Sequence, residues 1–349
     1  MKKLRVGIVG MGMGRHHAKD LHSHSRSDLV AIVDADESRL EESAGQFPES
    51  QQYTDYEKML AEQDLDMVVL AIPNFLHKPF AIAALEAGCH VLCEKPMAMN
   101  TAEAEEMLAV ARKSDRRLMI NFSYRFTGAA HALKQAVDAG VLGDVYYGRT
   151  GWLRRDGMPG FGGWFGQKNK SGGGPLIDLG VHKIDLALWL MGYPSPEWIL
   201  ARTYDHLGKA RAEGLGKDFD VEDFAAALVT FDNGATLDVT VSWASHIKEK
   251  ELMETRILGT KGGVVHRNIN EGYEFEGEIF TDFNGVPSNI QPQPRGCPLG
   301  SSMTHFVDCI LDDKPHIATG EEGATLMRIL DAIYESAASR EPVRVGRGS

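Results

Sequence analysis

The sequence predicts an α/β fold in two parts: a doubly wound parallel sheet, then an α+β domain around a largely antiparallel, open-faced sheet. Three observations predict it. Over the first 125 or so residues, short uniformly apolar runs alternate with helix-patterned stretches, as in a parallel sheet covered on both faces. The cluster Gly10-Met11-Gly12-Met13-Gly14 follows the first run directly and opens a polar, helix-like stretch. From about residue 198 onward, strand-like runs succeed one another through hairpin signals. A length of 349 residues suits about two domains.

The elements follow in order. Leu4 to Val9 reads as a strand, Arg15 onward as a helix, and Leu29 to Val33 as a second strand ending on Asp34. Tyr56 to Glu62 is a helix, and Met67 to Ile72 a buried strand stopped by Pro73. Leu76 to Ala87 repeats apolar residues at helical spacing and stops at Gly88. His90 to Cys93, Ala102 to Arg112 and Leu118 to Phe122 read as strand, helix and strand. Past Tyr124, a helix over Ala129 to Ala139 leads into a strand from Val145 to Leu153. Phe224 to Phe231 and Ala235 to Trp243 flank Asp232-Asn233-Gly234, a turn whose residues tolerate positive φ. Thr255 to Leu258 and Val264 to His266 form a second hairpin, and Ala324 to Ala338 an amphipathic closing helix. The expected domains are 1–123 and 124–349, with the helix 324–338 packing back toward the first.

Composition narrows the function classes. A net charge of −12 argues against nucleic acid and against docking on an anionic membrane, and no run reaches the ~18 apolar residues of a membrane span. Four cysteines without a C-x-x-C pair read as reduced thiols. After Met1-Lys2-Lys3, Arg5 interrupts the apolar run and no small-residue cleavage site follows, so the expected location is the cytoplasm. Glycine is in excess, 37 residues, which points to tight turns or to backbone lying close to a ligand.

The glycine cluster sits between strand and helix, the setting a Rossmann dinucleotide fingerprint requires. The first glycine permits the turn, the second lets backbone approach a pyrophosphate, and the helix N-terminus adds partial positive charge. Asp34 stands 20 residues after Gly14, where a carboxylate accepts from the ribose 2′-hydroxyl. That carboxylate would repel a 2′-phosphate, which favours NAD over NADP, although Arg39 is near in sequence. The spacing G-x-G-x-G is one residue shorter than G-x-G-x-x-G.

Two constellations carry chemistry. Glu94-Lys95-Pro96 follows the fifth strand, and a lysine at the carboxyl end of a parallel strand lies where open α/β sheets bind ligands. Gly172-Gly173-Gly174 precedes a helix-patterned segment in which Asp178, His182 and Asp185 recur at spacings of four and three on one face. Histidine is the usual proton-transfer group near neutral pH, and the glycines would let a ligand approach the helix start. Tyr124, Arg125, Trp152, Arg154, Arg155, Trp164 and Lys168 are candidates to stack on or hydrogen-bond a polyol. Gly160, Gly162, Gly163 and Gly166 mark a candidate substrate loop. His16, His17, His22 and His24 lack metal-ligand spacing, so no metal is expected.

The ordered set of glycine fingerprint, Asp34, Ala71-Ile72-Pro73-Asn74 with His77, Ala84-Leu85-Glu86-Ala87-Gly88 through Glu94-Lys95-Pro96, and Asp178-x-Gly180-x-His182-x-x-Asp185 resembles the glucose–fructose oxidoreductase/inositol dehydrogenase/MocA (Gfo/Idh/MocA) family. The resemblance spans nearly the whole chain. It implies that Lys95, Asp178 and His182 are catalytic. It further implies that NAD, or NADP, lies against Gly10, Met11, Gly12, Met13, Gly14, Asp34 and Arg39, with Ile72, Pro73, Asn74, His77, Glu94 and Lys95 toward the nicotinamide. The implied activity is hydride transfer between the nicotinamide and a secondary alcohol of a sugar, inositol or related polyol or sugar acid. His182 would serve as base, Lys95 would stabilise developing alkoxide, and Asp178 would orient substrate or His182. Tyr124, Arg125, Trp152, Arg154, Trp164 and Lys168, with Asp178 and His182, would line the substrate. Two alternatives stand beside this: a glycoside hydrolase or lyase that retains NAD, and a sensor that binds dinucleotide or sugar without turnover. The family also implies a homodimer or homotetramer through the C-terminal sheet.

Overall fold

The computed structural model describes residues 2–346. The chain forms two compact units. One runs to Asn121 and includes Leu299–Ala324, and the other holds Phe122–Pro298 and the chain from Thr325 on.

In the first unit, β1 (Leu4–Val9), β2 (Ser27–Val33), β3 (Gln51–Tyr53), β4 (Met67–Leu70), β5 (His90–Cys93) and β6 (Leu118–Ile120) form one sheet in the order β3-β2-β1-β4-β5-β6. Every pairing is parallel. This is the doubly wound order, with the strand sequence reversing beside β1. Helices α1 (Gly14–Ser23), α2 (Glu37–Ala44), α3 (Tyr56–Glu62), α4 (His77–Glu86) and α5 (Thr101–Lys113) connect the strands. Asp36, Asp55 and Asn100 cap α2, α3 and α5 through their side chains, satisfying first-turn N–H groups. The central strands read as uniform apolar runs because both faces are covered: Val68, Val69 and Leu70 are fully buried. Short, half-exposed β3 carries too little apolar pattern to stand out in the sequence.

The second unit contains α6 (Gly128–Asp138), β7 (Val145–Arg154), α7 (Lys168–Ser171), a π turn over Leu176–Gly180, α8 (Val181–Leu190), β8 (Pro196–Tyr204) and α9 (His206–Gly214). The strands β9 (Phe224–Phe231), β10 (Thr236–Ser242), β11 (Glu251–Gly259), β12 (Gly262–Ile269), β13 (Glu274–Phe283) and β14 (Val286–Ile290) follow. The chain then returns to the first unit through α10 (Ser302–Leu311) and the start of α11 (Gly320–Ser339), and β15 (Val343–Arg344) closes it. The nine-stranded sheet runs β14-β13-β12-β11-β7-β10-β9-β8-β15. All of its pairs are antiparallel except β7 with β10. One face lies under α6 and α8 and buries Thr150, Trp152, Val239, Met253 and Ile257. Alternate residues face the other way, and Trp198, Leu200, Tyr204, Leu228 and Leu252 remain exposed there.

The return of Leu299–Ala324 differs from the sequence expectation, which places everything after 124 in one domain. Its cause is local bonding to the nucleotide unit. Ile120 N–H donates to Ala318 O at 2.9 Å, Ser302 Oγ donates to Asn121 Oδ1 at 2.6 Å, and Arg26 pairs with Asp308 at 2.7 Å.

Candidate active site

The glycine turn is shaped by sterics. Gly10 has φ +90°, and a Cβ there would stand 2.2 Å from Ala71 O, so only glycine fits where the turn crosses β4. A Cβ on Gly12 would meet only the Arg39 guanidinium at 3.7 Å, leaving that backbone open to a ligand. No side chain caps α1, so its first-turn N–H groups suit pyrophosphate oxygens. Asp34 also holds the turn: Oδ2 accepts from Met11 N–H at 2.7 Å and Oδ1 from Asp36 N–H at 2.9 Å. A carboxylate has about four acceptor positions, so capacity remains for ribose hydroxyls. Arg39, half-exposed, lies 3.5 Å from Asp34. These residues fit a dinucleotide.

At the end of β5, Glu94 is clamped. Its Oε1 accepts from His17 Nε2 and Asn121 Nδ2, each at 2.6 Å, and Oε2 accepts from Lys95 N–H at 3.2 Å. Burial works to raise its carboxyl, but these bonds and the nearby Lys95 charge outweigh it and bring it down to about 2. The ionised Glu94 therefore fixes the backbone of the Lys95-Pro96 turn. His17 and Asn121 have no motif in sequence that would reveal this role. His77 is wholly buried, with Nδ1 2.7 Å from Pro96 O and Nε2 2.9 Å from Ile72 O. Burial holds the ring below its usual range. It clips the Ile72-Pro73-Asn74 loop to the Lys95-Pro96 turn, so its role is positional rather than contact with cofactor. Asn74 is buried at the start of that loop's short helical turn.

The second unit carries its own titratable group. Every residue of α8 is buried except His182, so a helix that also buries Lys183 and Asp185 leaves one titratable ring partly accessible. That ring packs 5.0 Å from Tyr124 and 6.0 Å from Trp152, centroid to centroid. Asp178 lies not on a continuous α-helix with His182 but on the π turn ahead of it, and its Oδ2 accepts from Trp243 Nε1 at 2.9 Å. The extra residue of a π turn re-aims Asp178 relative to the even helical face inferred from spacing. Trp152 Nε1 and Arg154 Nε both donate to Glu251 Oε1 at 2.7 Å, and Tyr273 donates to the same oxygen.

Other sequence candidates are placed differently. Arg125 is fully buried, bidentate to Asp185 at 2.9 and 2.6 Å and flanked by Phe122, Trp189 and Tyr193. It therefore cements the second unit instead of meeting substrate, and Asp185 is its counter-ion. Of the three glycines before Asp178, Gly172 ends α7 at φ +86° and the other two answer to packing. A Cβ on Gly173 would lie 1.9 Å from Tyr334 Oη, and one on Gly174 1.9 Å from Glu222 O. Buried Glu222, its carboxyl raised by burial, accepts from Gly174 N–H, Leu176 N–H and Tyr334 Oη. Trp164 stacks on Phe165, Lys168 is exposed with its ammonium over the Tyr334 ring, and Arg155 bonds Lys248 and Lys250 carbonyls. Of the N-terminal histidines, His24 contacts Asp308 and His22 packs on Phe47.

Beside His182, Lys183 is wholly buried and its Nζ has no hydrogen-bond partner among the described residues. It sits 5.8 Å from the Tyr124 ring centre, and burial lowers it to about 7. His266, equally buried and with neither ring nitrogen bonded among the described residues, stacks on Phe275 at 4.9 Å.

Comparison with known proteins decides the identity. Residues 4–122 match the oxidoreductase family with an NAD-binding Rossmann fold, and residues 130–265 match the GFO/IDH/MocA C-terminal domain.

The chain belongs to the Gfo/Idh/MocA oxidoreductase family.

Among Gfo/Idh/MocA relatives, the D-glucoside 3-dehydrogenase of Escherichia coli (strain K12) is 33% identical over 346 residues, 96% of this chain and 95% of its own. The myo-inositol 2-dehydrogenase of Thermotoga maritima is 28% identical over 348 residues, 98% of both chains. Among solved structures, levoglucosan dehydrogenase with NADH and levoglucosan aligns over 99% of this chain and 100% of that one, at TM-score 0.86 and 25% identity. The aldose-aldose oxidoreductase of Caulobacter crescentus, complexed with glycerol, covers 98% of this chain and all of its own, at TM-score 0.83 and 26% identity.

Proposed function

We propose that this oxidoreductase oxidises a secondary alcohol of a sugar, cyclitol or related sugar acid with NAD, with a D-glucoside the first substrate to test. The observation that carries the reading is His182, the one group of a buried helix left accessible, in a chain that matches a D-glucoside 3-dehydrogenase end to end. Bound NAD supplies the hydride acceptor. Gly10 to Gly14 and the α1 N-terminus would hold its pyrophosphate and Asp34 its ribose. His182 takes the hydroxyl proton, Lys95 stabilises the developing alkoxide, and Asp178 orients the hydroxyl or His182. Asp34 excludes a 2′-phosphate by charge, which supports NAD over NADP. Tyr124, Trp152, Arg154, Trp164 and Lys168 are the residues proposed to meet the polyol, Trp152 and Arg154 being held by Glu251.

We also infer a cytoplasmic homo-oligomer. Trp198, Leu200, Tyr204, Leu228 and Leu252 on the uncovered sheet face are 41–45% exposed, large apolar side chains suited to a second copy of the chain. The test of function is a panel of glucosides, inositols and sugar acids with NAD and with NADP, followed by absorbance at 340 nm. Net NADH with one of these classes supports dehydrogenation. Cleavage of a glucoside without net NADH would replace that reading with the NAD-retaining hydrolase.

A further inference from the structure

We propose that the first unit carries a second ligand site, for a small hydroxylated anion such as a sugar phosphate or sugar acid, at the opposite end of its sheet from the glycine turn. A cavity of about 460 Å³ opens there between the start of β5, the start of β6, the end of α5 and the segment after α10. His90 and Leu118, the first residues of their strands, line it, whereas the glycine turn follows the last residue of β1. In a parallel sheet those are opposite ends. The volume lies in the range that holds metabolite-sized ligands, roughly 300–1,000 Å³.

The lining is built for an anion. The chain is acidic overall, yet Arg112, Lys113, Arg116 and Arg117 cluster in six residues at this place, and all three arginines line the cavity. Two of them are already paired: Arg112 with Glu321 at 3.3 Å and Arg117 with Asp313 at 2.6 Å. Arg116 is not. Its Nε donates to Gly88 O at 2.5 Å and one terminal nitrogen to Asp115 O at 2.9 Å, both neutral carbonyls. Among the described residues no carboxylate lies within ion-pair distance of it, and its other terminal nitrogen has no hydrogen-bond partner. A guanidinium fork of this kind suits phosphate or carboxylate.

His90 supplies a second donor. Its Nδ1 accepts from Arg117 N–H at 3.0 Å, and burial beside Arg116 and Arg117 holds the ring neutral, down to about 4. The ring proton therefore resides on Nε2, which has no protein partner among the described residues. An anion here would accept from His90 Nε2 and pair with Arg116. Asp115 and Thr319, also lining the cavity, offer acceptors for hydroxyl groups on the same molecule.

The test is calorimetric titration of the NADH-saturated protein, in which the glycine turn is filled and alcohol oxidation cannot proceed. Glucose 6-phosphate and gluconate are the probes, with glucose as the uncharged control. Saturable binding of either anion, at least about tenfold tighter than glucose, is the expected result, and the tighter of the two names the head group. Arg116→Gln and His90→Phe each weaken that binding about tenfold or more, while Arg116→Lys retains part of it. His182→Ala leaves it unchanged. Absence of saturable binding by both anions, or binding that survives Arg116→Gln and His90→Phe in proteins of unaltered melting temperature, overturns the proposal. The outcome is independent of which alcohol the enzyme oxidises.

Discussion

Lys183 offers a prediction with a magnitude. Unfolded, its amine keeps its proton up to the ordinary 10.5, while inside the fold it releases it near 7, because burial next to Tyr124 and His266 withdraws water from the charge. Glu254 on β11 offsets this in part, and His266 on β12 adds no compensating charge, since its own ring is pushed well below 6.5. Carrying the proton into the fold therefore costs stability below pH 7, and the cost shrinks as pH rises from 7 toward 10.5. With these two values the cost is about 5 kcal/mol at pH 6 and about 2 kcal/mol at pH 9. Lys183→Met keeps the volume and removes the titration. The variant is expected to be more stable than the parent at pH 6, with an advantage that falls by about 3 kcal/mol at pH 9. All five tryptophans lie in the second unit, so fluorescence during urea unfolding reports the right part of the chain. An advantage equal at the two pH values, or a variant less stable at pH 6, refutes the reasoning.

Three more outcomes are expected. His182→Ala and Lys95→Ala each lower kcat by about 10²–10⁴ while NADH fluorescence titration shows unchanged cofactor affinity; near-parental turnover on the true substrate removes their assigned roles. The parent prefers NAD to NADP by about tenfold or more in kcat/KM, and Asp34→Ala narrows that ratio while raising the KM for NAD, because the carboxylate both repels a 2′-phosphate and secures Met11 N–H. Arg125→Met costs about 3–5 kcal/mol by leaving Asp185 buried without its counter-ion, and Asp185→Leu in the same chain restores part of it; urea unfolding reads both.

Local pattern made much of this protein legible. The nucleotide unit shows in the sequence because a doubly covered parallel sheet writes uniform apolar strands between helical stretches, and because the glycine turn, Asp34 and Glu94-Lys95-Pro96 fall at strand ends. His182 shows because it recurs with Asp178 and Asp185 at helical spacing, and the hairpin around Asn233-Gly234 because turn chemistry is local. Short β3, the return of Leu299–Ala324 and the Glu94 clamp leave no such mark.

The sequence by itself determined the two sheets and the Rossmann glycine turn, and it named the candidate reactive groups. Tertiary structure decided what the neighbours of those groups are for. Gly173 and Gly174 are small because Tyr334 and Glu222 lie against them, and Asp178 sits on a π turn tied to Trp243. His77 bridges two loops, and Arg125 is spent on Asp185. Each of these depends on a partner between 5 and 161 residues away along the chain, from Ile72 beside His77 to Tyr334 over Gly173. Periodicity reports which face of an element is apolar, but only folding brings a distant carboxylate or ring to that face, and there burial makes each unmet bond costly.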